Sequence, residues 1–123
     1  DITGFGLLGH AMEMAEASGV SMIFKIKNIP FFQTALELVK KSANHPKTIK
    51  SNREYLSPNV KMSDGITPEQ ANLLYDPQTS GGLLISVSHE KSQMLLERLS
   101  AVKISASVIG EVAAKITPVI TIV

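Results

Sequence analysis

The sequence predicts a small domain of the mixed α/β or α+β class, with helices packed on a mainly antiparallel or mixed sheet. Segments with apolar residues every three or four positions alternate along the chain with segments of period two, which indicates helices and strands in turn. Polar stretches rich in glycine and proline separate them. Because the chain has 123 residues, of which 44% are hydrophobic, and shows no repeat or low-complexity tract, we expect a single domain over residues 1–123.

The first third of the chain predicts a helix, a strand and a second helix. Apolar residues recur at helical spacing over residues 7–18, and Gly19 follows where a left-handed cap would end the helix. Residues 20–27 alternate between apolar and mostly polar side chains, which is typical of a half-buried strand. Helical spacing returns over residues 31–40, where two adjacent lysines suit the negative end of a helix dipole.

The middle of the chain is the least regular part. Residues 42–64 contain three clusters of turn-forming residues, and they predict at most one helical turn, around residues 52–56. Thr67 can then cap a short helix that ends near Tyr75, because a proline follows it and Gln70 can reach back to the amide of the cap.

The last third predicts a strand, a helix and two further strands. Residues 83–87 are apolar on both faces, so we expect a strand in the centre of the sheet. Ser88 is expected to cap the helix that follows. The apolar residues of that helix at core spacing are Met94, Leu95, Leu99 and Val102. Residues 106–112 and 118–123 supply the final strands.

Charge and hydropathy exclude several classes of function. The chain has 12 basic and 11 acidic residues, so without a marked local segregation of charge it has no broad basic face with which to bind nucleic acid or an anionic membrane. Its longest apolar runs are far shorter than the roughly 20 residues that span a bilayer. No basic segment precedes an apolar one, so we expect no secretory signal and a cytoplasmic location.

Cysteine and histidine usage excludes further kinds of site. With no cysteine, these residues contain no disulfide, no thiolate zinc site and no cysteine nucleophile. The histidines are widely spaced, and we expect surface or capping roles for all three of them: His10, His45 and His89.

Two glycine-rich loops carry the candidate chemistry. The first loop, residues 1–6, leads into the first helix, where glycine allows close approach of a ligand and free amides favour a phosphate. A carboxylate there suits Mg²⁺, which binds carboxylate and phosphate oxygens together, so Asp1 is a candidate metal ligand. No P-loop or dinucleotide motif is present. The loop is equally typical of a plain tight turn, and both interpretations stay open.

The second loop, residues 76–82, is as ambiguous. It reads Asp-Pro-Gln-Thr-Ser-Gly-Gly, which can place hydroxyls and amides beside a ligand or simply turn the chain into a buried strand. In the first loop, Phe5 stands between two glycines, where it either packs down as an anchor or lines a ligand.

Taken together, the two loops carry a resemblance to a known family. Residues 1–10, Asp-Ile-Thr-Gly-Phe-Gly-Leu-Leu-Gly-His, are similar to the opening of the carboxy-terminal domain of selenide, water dikinase, also called selenophosphate synthetase. The similarity continues through residues 17–20, 52–56, 76–84 and 109–112 and covers practically the whole chain. The wider superfamily of aminoimidazole ribonucleotide synthetase shares the fold. The phenylalanine between the glycines of the first loop and the Gln-Thr-Ser-Gly-Gly of the second loop favour the selenophosphate branch.

The resemblance implies an enzyme that converts selenide, water and ATP into selenophosphate, AMP and orthophosphate with Mg²⁺. It implies that ATP binds between a flexible amino-terminal segment, an amino-terminal domain that forms a homodimer, and the present domain. Asp1 matches the aspartate that helps to hold Mg²⁺. The positions matched to the nucleotide site are Thr3, Gly4, Phe5, Gly6, Thr79, Ser80, Gly81 and Gly82.

The same resemblance implies that the catalytic cysteine or selenocysteine, its neighbouring lysine and the other magnesium-binding aspartates lie upstream of these residues. The chain then contains no catalytic residue and is expected to be inactive alone. Two alternatives stay open. One is another enzyme of the superfamily, of the hydrogenase maturation factor or thiamine-monophosphate kinase type, and the other is a non-catalytic pseudoenzyme or interaction module.

Overall fold

The computed structural model describes all 123 residues, which form five α-helices and four β-strands. The mixed α/β class predicted from the sequence is confirmed. In chain order the elements are α1 (Gly6–Ser18), β1 (Val20–Phe24), α2 (Gln33–Leu38), α3 (Lys47–Leu56), β2 (Val60–Met62), α4 (Pro68–Leu74), α5 (His89–Ala101), β3 (Gly110–Ala114) and β4 (Ile120–Ile122). None of the helices combines the length and the apolar character that crossing a membrane requires.

The four strands form one mixed sheet in the order β2-β4-β1-β3. Strand β1 runs antiparallel to β3, with Val20 opposite Ala114, and parallel to β4, with Met22 opposite Ile120. Strand β2 completes the sheet parallel to β4. Because α1 leads directly into β1, the first loop is tied through one helix to an inner strand of the sheet.

The core lies between α1 and the sheet. Four residues of α1, spaced by three and four positions, are buried on one face of the helix: Leu8, Ala11, Met12 and Ala15. They belong to one cluster with side chains of the sheet and of the segments around α3 and α4: Met22, Phe24, Ile26, Ile29, Ile49, Leu56, Leu74, Tyr75, Val119, Ile120 and Ile122. This packing fixes the first turn of α1 beside the ends of α3 and α4.

Several local predictions are confirmed. Gly19 ends α1 in the left-handed conformation, with φ 65° and ψ 33°. Thr67 and Gln70 form the predicted capping box of α4, with bonds of 3.2 Å from the Gln70 amide to the Thr67 hydroxyl and 3.0 Å from the Thr67 amide to the Gln70 side chain. Ser88 occupies the N-cap of α5, although its hydroxyl makes no capping bond.

Other elements are shorter or displaced. The strand predicted over residues 20–27 ends at Phe24, because residues Ile26–Asn28 form a 3₁₀ turn. The helix predicted over residues 31–40 is limited to α2. The two final strands are β3 and β4. Strand β3 is shifted toward the C-terminus relative to the predicted residues 106–112, and β4 is shorter than the predicted residues 118–123.

The middle of the chain is more regular than predicted. Where the sequence indicates at most one turn, α3 runs for 10 residues and buries Ile49, Asn52 and Leu56. Strand β2 has 3 residues and was not predicted, because so short a segment shows no period-two pattern of its own. It is held in the sheet by its pairing with β4.

The prediction of a central strand at residues 83–87 is wrong. These residues join no strand of the sheet, and Leu83 is 74% exposed and Ile85 50% exposed. The predicted core face of α5 is also uncovered, since that helix has no buried residue and Met94 is 51% exposed. An apolar pattern shows that a segment favours burial, but not which surface buries it. Leu84 packs against the core cluster, whereas Leu83, Ile85 and Val87 stay exposed.

Candidate functional site

The two glycine-rich loops lie side by side in the structure. The amide of Ile2 donates to the carbonyl oxygen of Gly82, with 2.9 Å between N and O, and the amide of Gln78 donates to the carbonyl oxygen of Thr3 at 3.0 Å. The loops are distant in sequence, and these backbone bonds join them into one surface at the amino-terminal end of α1. The candidate residues that the sequence picked out on each loop are therefore neighbours in space.

Two of the candidate glycines are required by the contact between the loops. Gly6 has a positive φ of 69°, and a Cβ added to it would lie 2.8 Å from the carbonyl carbon of Tyr75. A Cβ on Gly81 would lie 2.2 Å from the carbonyl oxygen of Ile2. Both positions thus allow the two backbones to approach each other closely. By contrast, nothing lies within 4 Å of a Cβ built on Gly4 or Gly82.

The side chain of Asn52 connects the first loop to Tyr75, the residue just before the second loop. Its side chain is buried, and its Nδ2 group donates to the carbonyl oxygen of Gly4 and to that of Tyr75, at 3.0 Å each. One amide group thereby bridges the first loop and the residue that precedes the second loop. Asn52 was not among the predicted site residues. A signal for it exists, since Asn52 lies between Ile49 and Leu56 on the buried face of α3, where a polar side chain needs a partner.

Just before the second loop, the ring of Tyr75 lies against the guanidinium of Arg53. The guanidinium of Arg53 lies 5.4 Å from the centre of the Tyr75 ring, and its Nη2 donates to Oδ1 of Asn72 at 2.7 Å. Burial raises the pKa of the Tyr75 hydroxyl, an effect that the positive charge of Arg53 partly offsets. The hydroxyl therefore stays protonated near neutral pH, and Tyr75 acts here as a packed support.

A hydroxyl, an imidazole and a carboxylate form a chain across the first loop and α1. The Thr3 hydroxyl lies 2.9 Å from Nε2 of His10, and Nδ1 of His10 lies 3.0 Å from Oε2 of Glu13. The side chain of His10 is only 17% exposed. The expectation of a surface or capping role is met by His89, which is exposed, and by His45, which contacts a carbonyl at the end of α2, but not by His10.

The sequence contains a signal for the contact between His10 and Glu13, which is their spacing. Glu13 follows His10 by three positions, which places the two side chains on one face of a helix. The hydroxyl of Thr3 reaches the other ring nitrogen only because the first loop folds back over α1, which spacing alone does not show.

Phe5 packs on α1 rather than extending away from it. Its ring meets that of His10 edge to face, with centroids 5.8 Å apart and planes at 67°. It covers Gly9 so closely that a Cβ there would lie 2.4 Å from Cβ of Phe5. Of the two roles left open, the anchoring contact is therefore present, while Phe5 as a whole stays 51% exposed.

The first turn of α1 presents amides beside the joined loops. Phe5 is its N-cap and makes no side-chain capping bond, and no acidic residue lies in the first turn. The first amides of a helix have no acceptor within the helix and carry partial positive charge. Thr79 and Ser80 are exposed next to this surface. The arrangement suits an anion such as a phosphate group.

Asp1 fits a magnesium ion only as one ligand among several. Its side chain is exposed and makes no hydrogen bond or salt bridge with another residue of the chain. No group of three or more histidine, cysteine, aspartate or glutamate side chains that could hold a metal lies together. Because Mg²⁺ binds one or two carboxylates and completes its shell with phosphate oxygens and water, a single carboxylate beside a phosphate site is chemically suitable but incomplete.

Replacing Gly6 with alanine is expected to destabilise the 123-residue chain by about 2–5 kcal/mol, because the positive φ and the overlap with the backbone around Tyr75 both oppose a Cβ. Two matched variants separate these causes. Gly19→Ala has the positive φ without the overlap and should cost about 1–2 kcal/mol. Gly65→Ala has neither and should stay within about 0.5 kcal/mol. Urea unfolding measures all three, and equal losses at Gly6 and Gly19 would contradict the close approach of the loops.

The stability of the chain is expected to fall as the pH rises through the titration of Asp76. Burial raises the pKa of this carboxyl above its ordinary value of about 3.9. The folded state therefore binds more protons than the unfolded state just above that value, and the stability lost on ionisation is fully present only below it. Asp76→Asn should flatten this decline, whereas Asp64→Asn, at an exposed carboxyl, should keep it. Urea unfolding from pH 3 to 7 tests this, and an unchanged slope in Asp76→Asn would contradict it.

Comparison with known proteins gives a consistent set of similarities. The profile of the family described as "AIR synthase related protein, C-terminal domain" matches residues 1–122. The chain is 40% identical over 116 residues to selenide, water dikinase 2 of Peptoclostridium acidaminophilum, covering 94% of this chain and 33% of that protein. It is 46% identical over 112 residues to selenide, water dikinase of Bdellovibrio bacteriovorus, covering 91% and 31%.

A third relative has the same relation to the chain. Selenide, water dikinase of Clostridioides difficile is 42% identical over 123 residues, which covers 99% of this chain and 35% of that protein. The chain therefore spans about a third of the length of the curated relatives that it matches.

Proposed function

The chain belongs to the family of the AIR synthase related protein C-terminal domain, and we propose that it is the carboxy-terminal domain of a selenide, water dikinase. In this proposal the longer protein converts ATP, selenide and water into selenophosphate, AMP and orthophosphate. The observation that carries the proposal is the junction of the two loops, in which Ile2 bonds to Gly82 and Gln78 to Thr3. It supports one nucleotide-phosphate surface built from both motifs.

The chemistry of that surface is consistent with phosphoryl transfer. Such transfer depends on positioning and on neutralising the charge of the phosphates, and amides at a helix terminus together with a metal ion supply both. We assign Asp1 as one ligand of Mg²⁺. We assign to the phosphates the first turn of α1 beyond Gly6, whose own amide donates to Thr3, together with the open backbone at Gly4 and Gly82. Mg²⁺, when bound, would supply positive charge against the phosphate oxygens.

We further propose that the remaining part of the longer protein covers the exposed apolar surface of residues 83–87 and α5. This part would be the amino-terminal domain, which contributes the reactive cysteine or selenocysteine, the neighbouring lysine and the homodimer contact, in a cytoplasmic enzyme. Three apolar side chains of the uncovered segment support this: Leu83, Ile85 and Val87. Hydrogen exchange should show residues 83–87 protected in the longer protein and unprotected in the 123-residue chain. Equal, fast exchange in both would contradict the covering.

Phosphorus NMR of the longer protein with ATP, Mg²⁺ and selenide tests the function directly. We expect AMP, orthophosphate and selenophosphate to appear together, and only when selenide is present. ADP as the product, or turnover with another acceptor in place of selenide, would instead indicate a different enzyme of the superfamily. Absence of any ATP turnover would indicate a non-catalytic protein.

The 123-residue chain alone should bind Mg²⁺ and ATP weakly or not at all, because it offers one candidate carboxylate and a few amides. Calorimetry of the isolated chain measures this. Submicromolar binding would show that the site is complete within these residues and would contradict the proposed division of the site.

A further inference from the structure

We propose that His10 is a positioning residue that fixes the direction of the Thr3 hydroxyl proton, so that Thr3 turns its oxygen lone pairs toward the cation side of the site. This inference rests on the proposed function for its ligand, a hydrated Mg²⁺ ion accompanying ATP. The geometry behind it is the chain from Thr3 through His10 to Glu13, with heavy-atom distances of 2.9 and 3.0 Å.

The contact with Glu13 defines which nitrogen carries the proton when His10 is neutral. An ionised carboxylate can only accept, so the contact from Nδ1 of His10 to Oε2 of Glu13 requires the proton on Nδ1. A neutral imidazole then has a lone pair on Nε2. With His10 in that neutral form, the Thr3 hydroxyl, 2.9 Å away, donates its single proton to that nitrogen.

The consequence is that Thr3 has no proton left for a ligand. A hydroxyl whose proton points into the imidazole offers only oxygen lone pairs to its other neighbours. Lone pairs suit a cation or the hydrogens of water bound to a cation, and they disfavour direct contact with a phosphate oxygen, which needs a donor. Thr3 lies two positions after Asp1, the exposed carboxylate of the same loop. Both side chains can therefore present oxygen lone pairs to a cation.

The ring of His10 has little freedom to turn. Its side chain is 17% exposed, the edge-to-face contact with Phe5 flanks it, and both nitrogens are engaged. Phe5 packs in turn on Gly9. Phe5 thus holds the imidazole of His10 in the orientation that contacts both Thr3 and Glu13.

Nitrogen NMR of the longer protein labelled with ¹⁵N-histidine tests the tautomer without any turnover. At a pH where the imidazole is neutral, we expect the His10 signals, assigned by their loss in His10→Gln, to show the proton on Nδ1. Glu13→Ala should shift the population toward the Nε2–H form, while Glu16→Gln, an exposed glutamate on the same helix, should not. An Nε2–H tautomer in the unmodified protein would overturn the proposal.

The Mg²⁺ dependence of ATP turnover tests the consequence. Thr3→Val, which keeps the shape and removes the hydroxyl, and Glu13→Ala should each raise the Mg²⁺ concentration for half-maximal rate about 10- to 100-fold. Thr3→Ser, which keeps the hydroxyl, should have the Mg²⁺ dependence of the unmodified protein. An unchanged Mg²⁺ requirement in Thr3→Val would overturn the role of the hydroxyl. If the unmodified protein shows no selenide-dependent turnover, the proposed function fails, while the NMR measurement still decides the arrangement of His10.

Discussion

Asp1→Asn in the longer protein is expected to lower selenide-dependent ATP turnover on the order of 100-fold or more and to leave the stability of the fold unchanged. The side chain is exposed and makes no hydrogen bond or salt bridge within the chain, so its removal leaves no buried group without a partner. Asparagine keeps the shape and removes the charge. If the carboxylate helps to hold Mg²⁺ against the nucleotide phosphates, the loss falls on a step that depends on charge neutralisation.

The matched control for this variant is Asp64→Asn. Asp64 is also an exposed aspartate, but it follows β2 and belongs to neither of the joined loops, so its removal tests the effect of one lost negative charge alone. Turnover and Mg²⁺ dependence are measured for both variants, with thermal unfolding as the check on folding. Near-normal turnover in Asp1→Asn, or an equal loss in Asp64→Asn, would remove Asp1 from the site.

Elements that depend on local chemistry were predictable from the sequence. The end of α1 at Gly19 and the capping box of Thr67 and Gln70 each use residues within one turn of each other, so the pattern contains the whole interaction. The fold class followed from the same kind of signal. The two loops were also found, because glycines, hydroxyls and a carboxylate lie close together in sequence in each of them.

Elements that depend on distant partners were not predictable. Residues 83–87 have the pattern of a central strand, yet they join no strand of the sheet, and strand β2 exists only through its pairing with β4. The same reason applies to the site. That Thr3 bonds to His10, and that Asn52 reaches Gly4, depends on how the first loop folds over α1 and α3.

Glycine shows most clearly how the structure changes the meaning of a motif. From the sequence, the glycines of both loops are predicted to be places where a ligand approaches the backbone. In the structure Gly6 and Gly81 are instead occupied by the other loop, and only Gly4 and Gly82 face open space. Half of the glycine pattern therefore serves to build the junction of the loops, and the other half is free to serve a ligand.

Asn52→Ala is expected to destabilise the 123-residue chain by about 2–3 kcal/mol, because it leaves the carbonyl oxygens of Gly4 and Tyr75 without their donor. The bond to Tyr75 is buried, so water cannot readily replace the lost amide. Asn52→Asp should cost more, since a carboxylate of the same shape cannot donate and would repel both carbonyl oxygens. In the longer protein, both variants should also lower turnover at temperatures where the protein is still folded, because the tie between the loops is lost.

Asn44 provides the matched control for Asn52. Its Nδ2 group also donates to a backbone carbonyl, that of Leu38 at 2.7 Å, but the bond is exposed and involves no residue of the loops. Asn44→Ala should therefore cost less than about 1 kcal/mol and leave turnover unchanged. Urea unfolding of the chain and ATP turnover of the longer protein separate the two roles of Asn52. A loss at Asn52 no greater than that at Asn44 would show that the loops hold together without it, and their junction would then depend on the backbone bonds of Ile2 and Gln78 alone.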